Sequence, residues 1–172
     1  MSAIELAGHT FTRVVEDDEA AIRCVQVLLE SDAPTWTSLE GSPPRPDEAR
    51  QLIHDRPPGV TPDRKHVWVH RTDAMIDIVD GFPDASTWYL GLIFIAPRVR
   101  NTGLGTSLLR ALVEHVRASG GSAMRLAVVT TNTGARRLYD RLGFTHLVRK
   151  PRALWTGDTQ ECDVLELRWA PP

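Results

Sequence analysis

Between Ile93 and Thr106 the chain reads Ile-Phe-Ile-Ala-Pro-Arg-Val-Arg-Asn-Thr-Gly-Leu-Gly-Thr, and this stretch constrains the fold more than any other. The apolar run Trp88–Ile95 reads as a strand buried on both faces of a sheet, and Pro97 ends it. A short loop then leads into Leu104–Ala118. There Leu104, Leu108, Leu112 and Val116 recur on one helical face, and Gly120-Gly121 stops the helix. Such a junction aims several free backbone N–H groups at one spot, beside the positive end of the helix dipole. Phosphate binds there. Gly103 and Gly105 let the main chain approach a ligand closely, and Arg100 offers a fixed positive charge. The three-glycine spacing of dinucleotide-binding loops is missing and no Gly-Lys-Ser/Thr follows, so neither of those nucleotide folds is indicated. A purely structural turn is the competing account of the two glycines.

The rest of the chain reads as a mixed α/β layout. Thr10–Val15 is expected as a short strand. Glu16–Glu19 opens a helix, with Ala21, Val25 and Leu28 facing a core. Asp32–Pro46, with its prolines, Gly41, and Trp36 between two threonines, reads as an irregular loop. A short helix from Asp47 to about Asp55 follows, closed by Pro57-Pro58-Gly59. His66–Arg71 and Met75–Val79 read as strands joined at Thr72-Asp73, and Asp80–Ser86 as a turn. Met124–Val129 is a further buried strand. Asn132–Leu142 is a second helix, with Ala135, Leu138 and Leu142 inward and Gly143 at its C-terminal cap. Thr145–Arg149 and Cys162–Trp169 read as two final strands joined around Gly157-Asp158. No internal repeat or linker divides the chain, so residues 1–172 are read as a single domain.

Length and composition narrow the function classes. The chain's 172 residues fit one buried core, and 42% hydrophobic with 24% charged residues is ordinary for a globular protein. A formal net charge of −2 gives no general attraction to nucleic acid. The basic runs Arg149-Lys150-Pro151-Arg152 and Arg136-Arg137 read as solvated faces. No apolar run is long enough to cross a bilayer, so no membrane partner is expected. Met1–His9 carries Glu5 and lacks a basic start followed by an apolar stretch, so the expected location is cytoplasmic. Cys24 and Cys162 lie in unlike apolar contexts and are expected as buried free thiols, without metal-ligand spacing.

With its surroundings, the glycine loop resembles the acyl-CoA motif of the GNAT N-acetyltransferase superfamily: Gln or Arg, two residues, Gly, one residue, then Gly or Ala. Here that motif is Arg100-Asn101-Thr102-Gly103-Leu104-Gly105, with Asn101 where many members carry glycine. Downstream, Asn132-Thr133-Gly134-Ala135-Arg136-Arg137-Leu138-Tyr139 followed by Leu142-Gly143-Phe144 resembles the family's second motif. The resemblance extends from about Val67 to Phe144. It implies the GNAT fold: a central mixed, mostly antiparallel sheet, flanked by helices on both faces, with one splayed strand pair.

The resemblance also implies a chemistry, acyl-CoA-dependent N-acyl transfer, with acetyl-CoA as cosubstrate, an amine-bearing acceptor and no metal. The strand carrying Ile93, Phe94 and Ile95 would part from Met124–Val129, and the pantetheine arm of CoA would fill the gap. A backbone N–H of Phe94 or Ile95 would polarise the thioester carbonyl. The pyrophosphate would lie on Arg100, Asn101, Thr102, Gly103, Leu104, Gly105 and Thr106. Asn132 and Ala135 would meet the pantetheine arm, a plain helix cap being the other account of Asn132. Tyr139, one helical turn beyond Ala135, would protonate the departing CoA thiolate. Arg136 and Arg137 would either reach a CoA phosphate or stay in solvent.

Some family members carry a glutamate on the strand matching Trp88–Ile95, and this chain has no acid there. Asp77, Asp80, Asp84, His70 and a water chain are the bases the sequence leaves open. The acceptor pocket is expected opposite CoA, between Asp32–Pro46 and the turn after Asp80, with Trp36 and Tyr89 in its walls. A small amine and a protein N-terminus or lysine both fit as acceptors. A catalytically silent CoA-binding module and a non-CoA nucleotide-binding domain are the rival classes. The resemblance also allows a homodimer, with Cys162–Trp169 presenting an edge.

Overall fold

The first element is one the sequence did not announce. β1 (Ala3–Leu6) pairs with β2 (His9–Arg13) in a hairpin turned at Ala7 and Gly8, both with positive φ. In β1 only Ile4 and Leu6 alternate, too short a period to stand out, yet both are buried. The expected strand at Thr10–Val15 is β2, which ends at Arg13. The computed structural model describes residues 3–170, so the outer ends of the 1–172 domain reading lie outside the described residues.

Three helices follow: α1 (Glu19–Glu30), α2 (Ala33–Glu40) and α3 (Glu48–His54). α1 starts where Asp18 accepts the Ala21 N–H at 2.9 Å, so Glu16 and Asp17 precede the helix and Glu19 opens it. The irregular loop expected over Asp32–Pro46 is corrected: its first part is α2. Asp32 caps that helix by accepting the Thr35 N–H at 3.2 Å. Pro34 lies in the first turn, where a missing N–H costs nothing, and Gly41 closes the helix with φ 81°. Pro43, Pro44 and Pro46 all fall after it.

The remainder runs β3 (Lys65–His70), β4 (Ala74–Val79), β5 (Thr87–Ile95), α4 (Leu104–Ala118), β6 (Ala123–Val129), α5 (Thr133–Arg141), β7 (Thr145–Ala153) and β8 (Thr159–Arg168). The last two strands are longer than the sequence suggested, because β7 is an edge strand and tolerates Pro151 within it. The sheet order is β1-β2-β3-β4-β5-β6-β8-β7, antiparallel throughout except for the parallel pair β5–β6. β8 is therefore interior, paired to both β6 and β7, and Cys162–Trp169 presents no edge; β7 does.

Helices cover both faces. On one, Leu108, Leu112 and Val116 of α4 and Tyr139 of α5 pack on Ile76, Leu90 and Leu126. On the other, Val25 and Leu28 of α1, Trp36 of α2 and Ala49 of α3 pack on Val67, Met75 and Phe94. Burying two apolar layers against one sheet is what gives this chain its stability. No helix among the described residues is long and apolar enough to cross a membrane.

Candidate active site

β5 is the strand on which the site is built, and its two halves differ. Thr87–Leu90 pairs with Ala123–Leu126 of β6, and there the pairing of the two strands stops. Beyond it β5 stays with β4, while Ala127–Val129 of β6 stays with β8. The strand was expected to be buried on both faces along its whole length. Instead Gly91 is exposed, and Leu92 and Ile93 are half-buried, because nothing pairs with β5 on that side. The parted strands face each other with unpaired backbone N–H and C=O groups, a slot that an extended amide-bearing chain could fill.

At the end of this slot stands the glycine loop. Asn101 has φ 61° and Gly103 φ 86°, and no side chain caps the start of α4. The first N–H groups of α4 are thus free to meet an anion. A Cβ built on Gly103 would meet nothing within 4 Å, so open space lies over the loop. One built on Gly105 would lie 3.2 Å from Ile95 Cδ1 and 3.8 Å from Leu138 Cδ2, so this glycine sets how closely β5, α4 and α5 converge. Leu104 and Thr106 beside it are half-buried, and Thr102 is exposed with its hydroxyl donating to Val99 O at 2.8 Å. Arg100 is not a free charge: Nε donates to Ile95 O at 2.7 Å, and Nη1 lies 2.5 Å from Asp32. Its guanidinium also sits 5.7 Å from the centre of the Phe94 ring. What the junction offers an anion is therefore chiefly main-chain N–H.

α5 supplies the third side. Asn132 caps it, its Oδ1 accepting the Ala135 N–H at 3.1 Å, so the helix-cap account of Asn132 holds, and among the described residues its amide nitrogen makes no hydrogen bond. Ala135 is half-buried and Tyr139 is buried, with its ring edge-on to Phe144 at 5.6 Å. Burial pushes the Tyr139 hydroxyl up to about 12, so it is neutral at physiological pH. Arg136 bonds Asp140 at 2.9 Å and Asp163 at 2.8 Å, which holds it to α5 and β8. Arg137 is exposed.

The opposite face of β5 carries a second set of groups. Trp36 is buried against Phe94, ring centres 6.2 Å apart, so it is first a core residue. Tyr89 is half-buried, with Phe82 edge-on at 5.6 Å. The β7–β8 hairpin bends over α2: Arg152 holds both oxygens of Glu40 at 2.6 Å, and Gln160 Nε2 donates to Ser38 O at 2.9 Å. Trp155 Nε1 adds a bond to Ser42 Oγ at 2.9 Å. Sequence reasoning missed this clasp, since its partners lie more than a hundred residues apart and share no motif. It offered Asp77 only as one of several possible bases, with nothing to set it apart. Asp77 is a buried strand residue, 5% exposed, with Oδ2 2.7 Å from Lys65 Nζ and Oδ1 without a hydrogen-bond partner. Burial, opposed by Lys65, pushes its carboxyl up to about 6. An acid inside the otherwise apolar β4 was the one signal that could have found it.

Comparison with known proteins agrees with this architecture. The profile of the Acetyltransferase (GNAT) family matches residues 25–144. A mycothiol acetyltransferase of Thermobispora bispora is 43% identical over 67 residues, a match that takes in 39% of this chain and 20% of that protein. The likeness thus spans about a fifth of that relative's length. Among solved structures, the Escherichia coli ribosomal-protein-S18-alanine N-acetyltransferase is similar at 16% identity, with a TM-score of 0.65 over 94% of each chain. The Salmonella typhimurium protein yncA, solved with its cofactor acetyl-CoA, is similar at 19% identity, with a TM-score of 0.57 over 94% of this chain and 98% of that one.

Proposed function

From the chain's membership of the GNAT acetyltransferase family, we propose that it is an acyl-CoA-dependent N-acetyltransferase acting on a primary amine. The observation that carries this reading is the junction of three features: parted strands β5 and β6, an uncapped helix start with open space over Gly103, and a buried tyrosine beside them. A slot ending at a cluster of free N–H groups fits a pantetheine arm followed by a pyrophosphate. A nucleotide lacking that arm would leave the slot unused.

Acetyl-CoA would supply the thioester. The N–H groups of Leu104, Gly105 and Thr106 would hold the phosphates, while Asn132, through its amide nitrogen, and Ala135 would flank the arm. A main-chain N–H of Phe94 or Ile95, fixed in the sheet, would stabilise negative charge on the acetyl carbonyl as the amine attacks. Tyr139 keeps its proton at neutral pH and would give it to the CoA sulfur as the C–S bond breaks. The acceptor would approach from the α2 and β7–β8 side of the sheet. The same reading expects a cytoplasmic protein, and any homodimer would meet at the exposed β7 edge.

The test is a calorimetric titration with acetyl-CoA, run beside a Gly103→Glu, Gly105→Glu double variant. The wild type is expected to bind with a Kd in the micromolar range, roughly −8 kcal/mol, and the variant to lose binding. Thiol release in a panel of primary amines then reports transfer. Binding without thiol release from any amine would favour a silent CoA-binding module instead. No binding at all would remove the reading.

A further inference from the structure

Asp77 stands where β4 and β5 fall out of register. Ile76 pairs with Ile93 and Asp77 with Leu92, but Ile78 pairs with Leu90, so Gly91 is an extra, bulged residue on β5. Gly91 is exposed, and a Cβ built on it would lie 3.2 Å from Asp77 Oδ2, 3.3 Å from Cγ and 3.6 Å from the Asp77 carbonyl oxygen. Its three nearest neighbours are thus all atoms of Asp77. The place a side chain of β5 would take, at the very point where β5 parts from β6, is bordered by a carboxylate from the next strand.

Resting on the acetyltransferase reading, we infer that Asp77 is the proton acceptor for the incoming amine, reaching past Gly91 directly or through one water, with Lys65 as its positioning residue. The other candidates are engaged elsewhere. Asp80 is held by Arg64 at 3.1 Å and His66 at 3.4 Å. Asp84 accepts from the Ser86 N–H and from the hydroxyls of Ser86 and Thr87, which closes a turn. His70 bonds Thr10 O at 2.9 Å and packs against His9 and Phe11 in the first hairpin. Asp77 is bonded to Lys65 through Oδ2, the oxygen that borders Gly91, yet it alone among them keeps a buried oxygen, Oδ1, without a partner. A carboxyl in that state is costly to maintain for structure alone.

The step balances without any further reagent. The acceptor enters as an ammonium and Asp77 takes one proton, which frees the nitrogen lone pair to form the C–N bond. After attack, the second proton lost by nitrogen replaces the one Tyr139 has given to sulfur. The proton on Asp77 leaves to solvent before the next turnover. On its other side Lys65 borders a cavity of about 270 Å³, also lined by Arg13, Glu16, His54 and Arg56. The charged groups acting on Asp77 are Lys65 from β3 and Asp55 from the segment after α3; burial outweighs Lys65 and Asp55 adds to the upward shift. Asp77 must be ionised to act, so activity is present above about pH 6 and is lost as pH falls through that value.

The experiment is the pH profile of kcat/KM for an acceptor amine that titrates near ~10, measured for the wild type, for Asp77→Asn, and for Asp77→Ala carrying Gly91→Glu. The wild type is expected to level off above about pH 6 and to fall tenfold per unit below it. Asp77→Asn should lose on the order of 10²-fold at neutral pH. It should also lose the plateau, rising tenfold per unit towards the amine's own pKa, with acetyl-CoA affinity unchanged. Gly91→Glu puts a carboxylate back at the same point and should restore the plateau. A variant profile parallel to the wild type's overturns the inference. So does a wild-type profile that climbs through pH 9 without a break, a result that stands even if Asp77→Asn fails to fold. A wild type that binds acetyl-CoA but transfers to no amine overturns the acetyltransferase reading, and this inference with it.

Discussion

Tyr139 and Asp77 are both buried titratable groups beside one slot, and their environments push them to opposite ends of usefulness. Burial alone raises the tyrosine hydroxyl to about 12, which keeps a proton in place for donation. Burial also raises the aspartate, but Lys65 limits the rise to about 6, which leaves a carboxylate able to accept one at neutral pH. Tyr139→Phe is therefore expected to lower kcat by about 10²-fold while acetyl-CoA affinity stays the same, measured by steady-state kinetics beside calorimetry. Because the acid is lost only as pH rises towards 12, the wild type should show no alkaline limb from Tyr139 below about pH 10. Tyr139 was legible in the sequence because it belongs to a local motif, Asn132 to Phe144, on a single helix and its cap. Asp77 was not. Its meaning depends on Lys65 in one neighbouring strand and on a missing side chain in the other, and no spacing along the chain records that arrangement.

At the scale of the element, α2 shows what composition conceals. Four prolines between Asp32 and Pro46 suggested irregular chain, yet three of them lie beyond the helix and the fourth is in its first turn. Asp32 does two things here: it caps α2 through Thr35 and pairs with Arg100 at 2.5 Å, tying α2 to the glycine loop. Burial works to raise its carboxyl, but the hydrogen bonds from Thr35 and Arg100 outweigh burial and hold it below the usual carboxylate range. A group lowered in the folded state stabilises above its unfolded pKa of 3.8, and that contribution is lost as pH falls through the folded value. Asp32→Ala should cost about 1–2 kcal/mol in urea melts at pH 7. Asp32→Asn, which can still cap the helix, should cost less, and its melting temperature should respond less to acidification below pH 4 than the wild type's. A variant pair equal in stability would mean that the Arg100 pair, not the cap, carries the whole effect.

At the scale of the molecule, the two halves of the site are built from different kinds of sequence distance. The proposed CoA side is nearly continuous, running from Ile93 through the glycine loop and α4 to Tyr139, elements that follow one another along the chain. The proposed acceptor side joins α2 to the tip of β7–β8 across the whole chain, through Arg152 with Glu40, Gln160 with Ser38 and Trp155 with Ser42. The β5 strand separates these halves, with the apolar packing of α4 and α5 on one face and that of α1–α3 on the other. A clasp on one face should then act on one substrate. In Arg152→Ala, Glu40 loses its partner, and burial, which already raises its carboxyl despite Arg152, acts unopposed. The hairpin would lose this anchor to α2 and keep those made by Gln160 and Trp155. We expect KM for the acceptor amine to rise on the order of tenfold, which is ~1.4 kcal/mol of lost positioning. Acetyl-CoA affinity should stay within about twofold, since the contacts proposed for it lie on the far side of the sheet. Steady-state kinetics with each substrate varied in turn would read both. If the acetyl-CoA affinity falls in step with the acceptor's, the clasp acts through the sheet itself, by changing how far β5 and β6 are held apart.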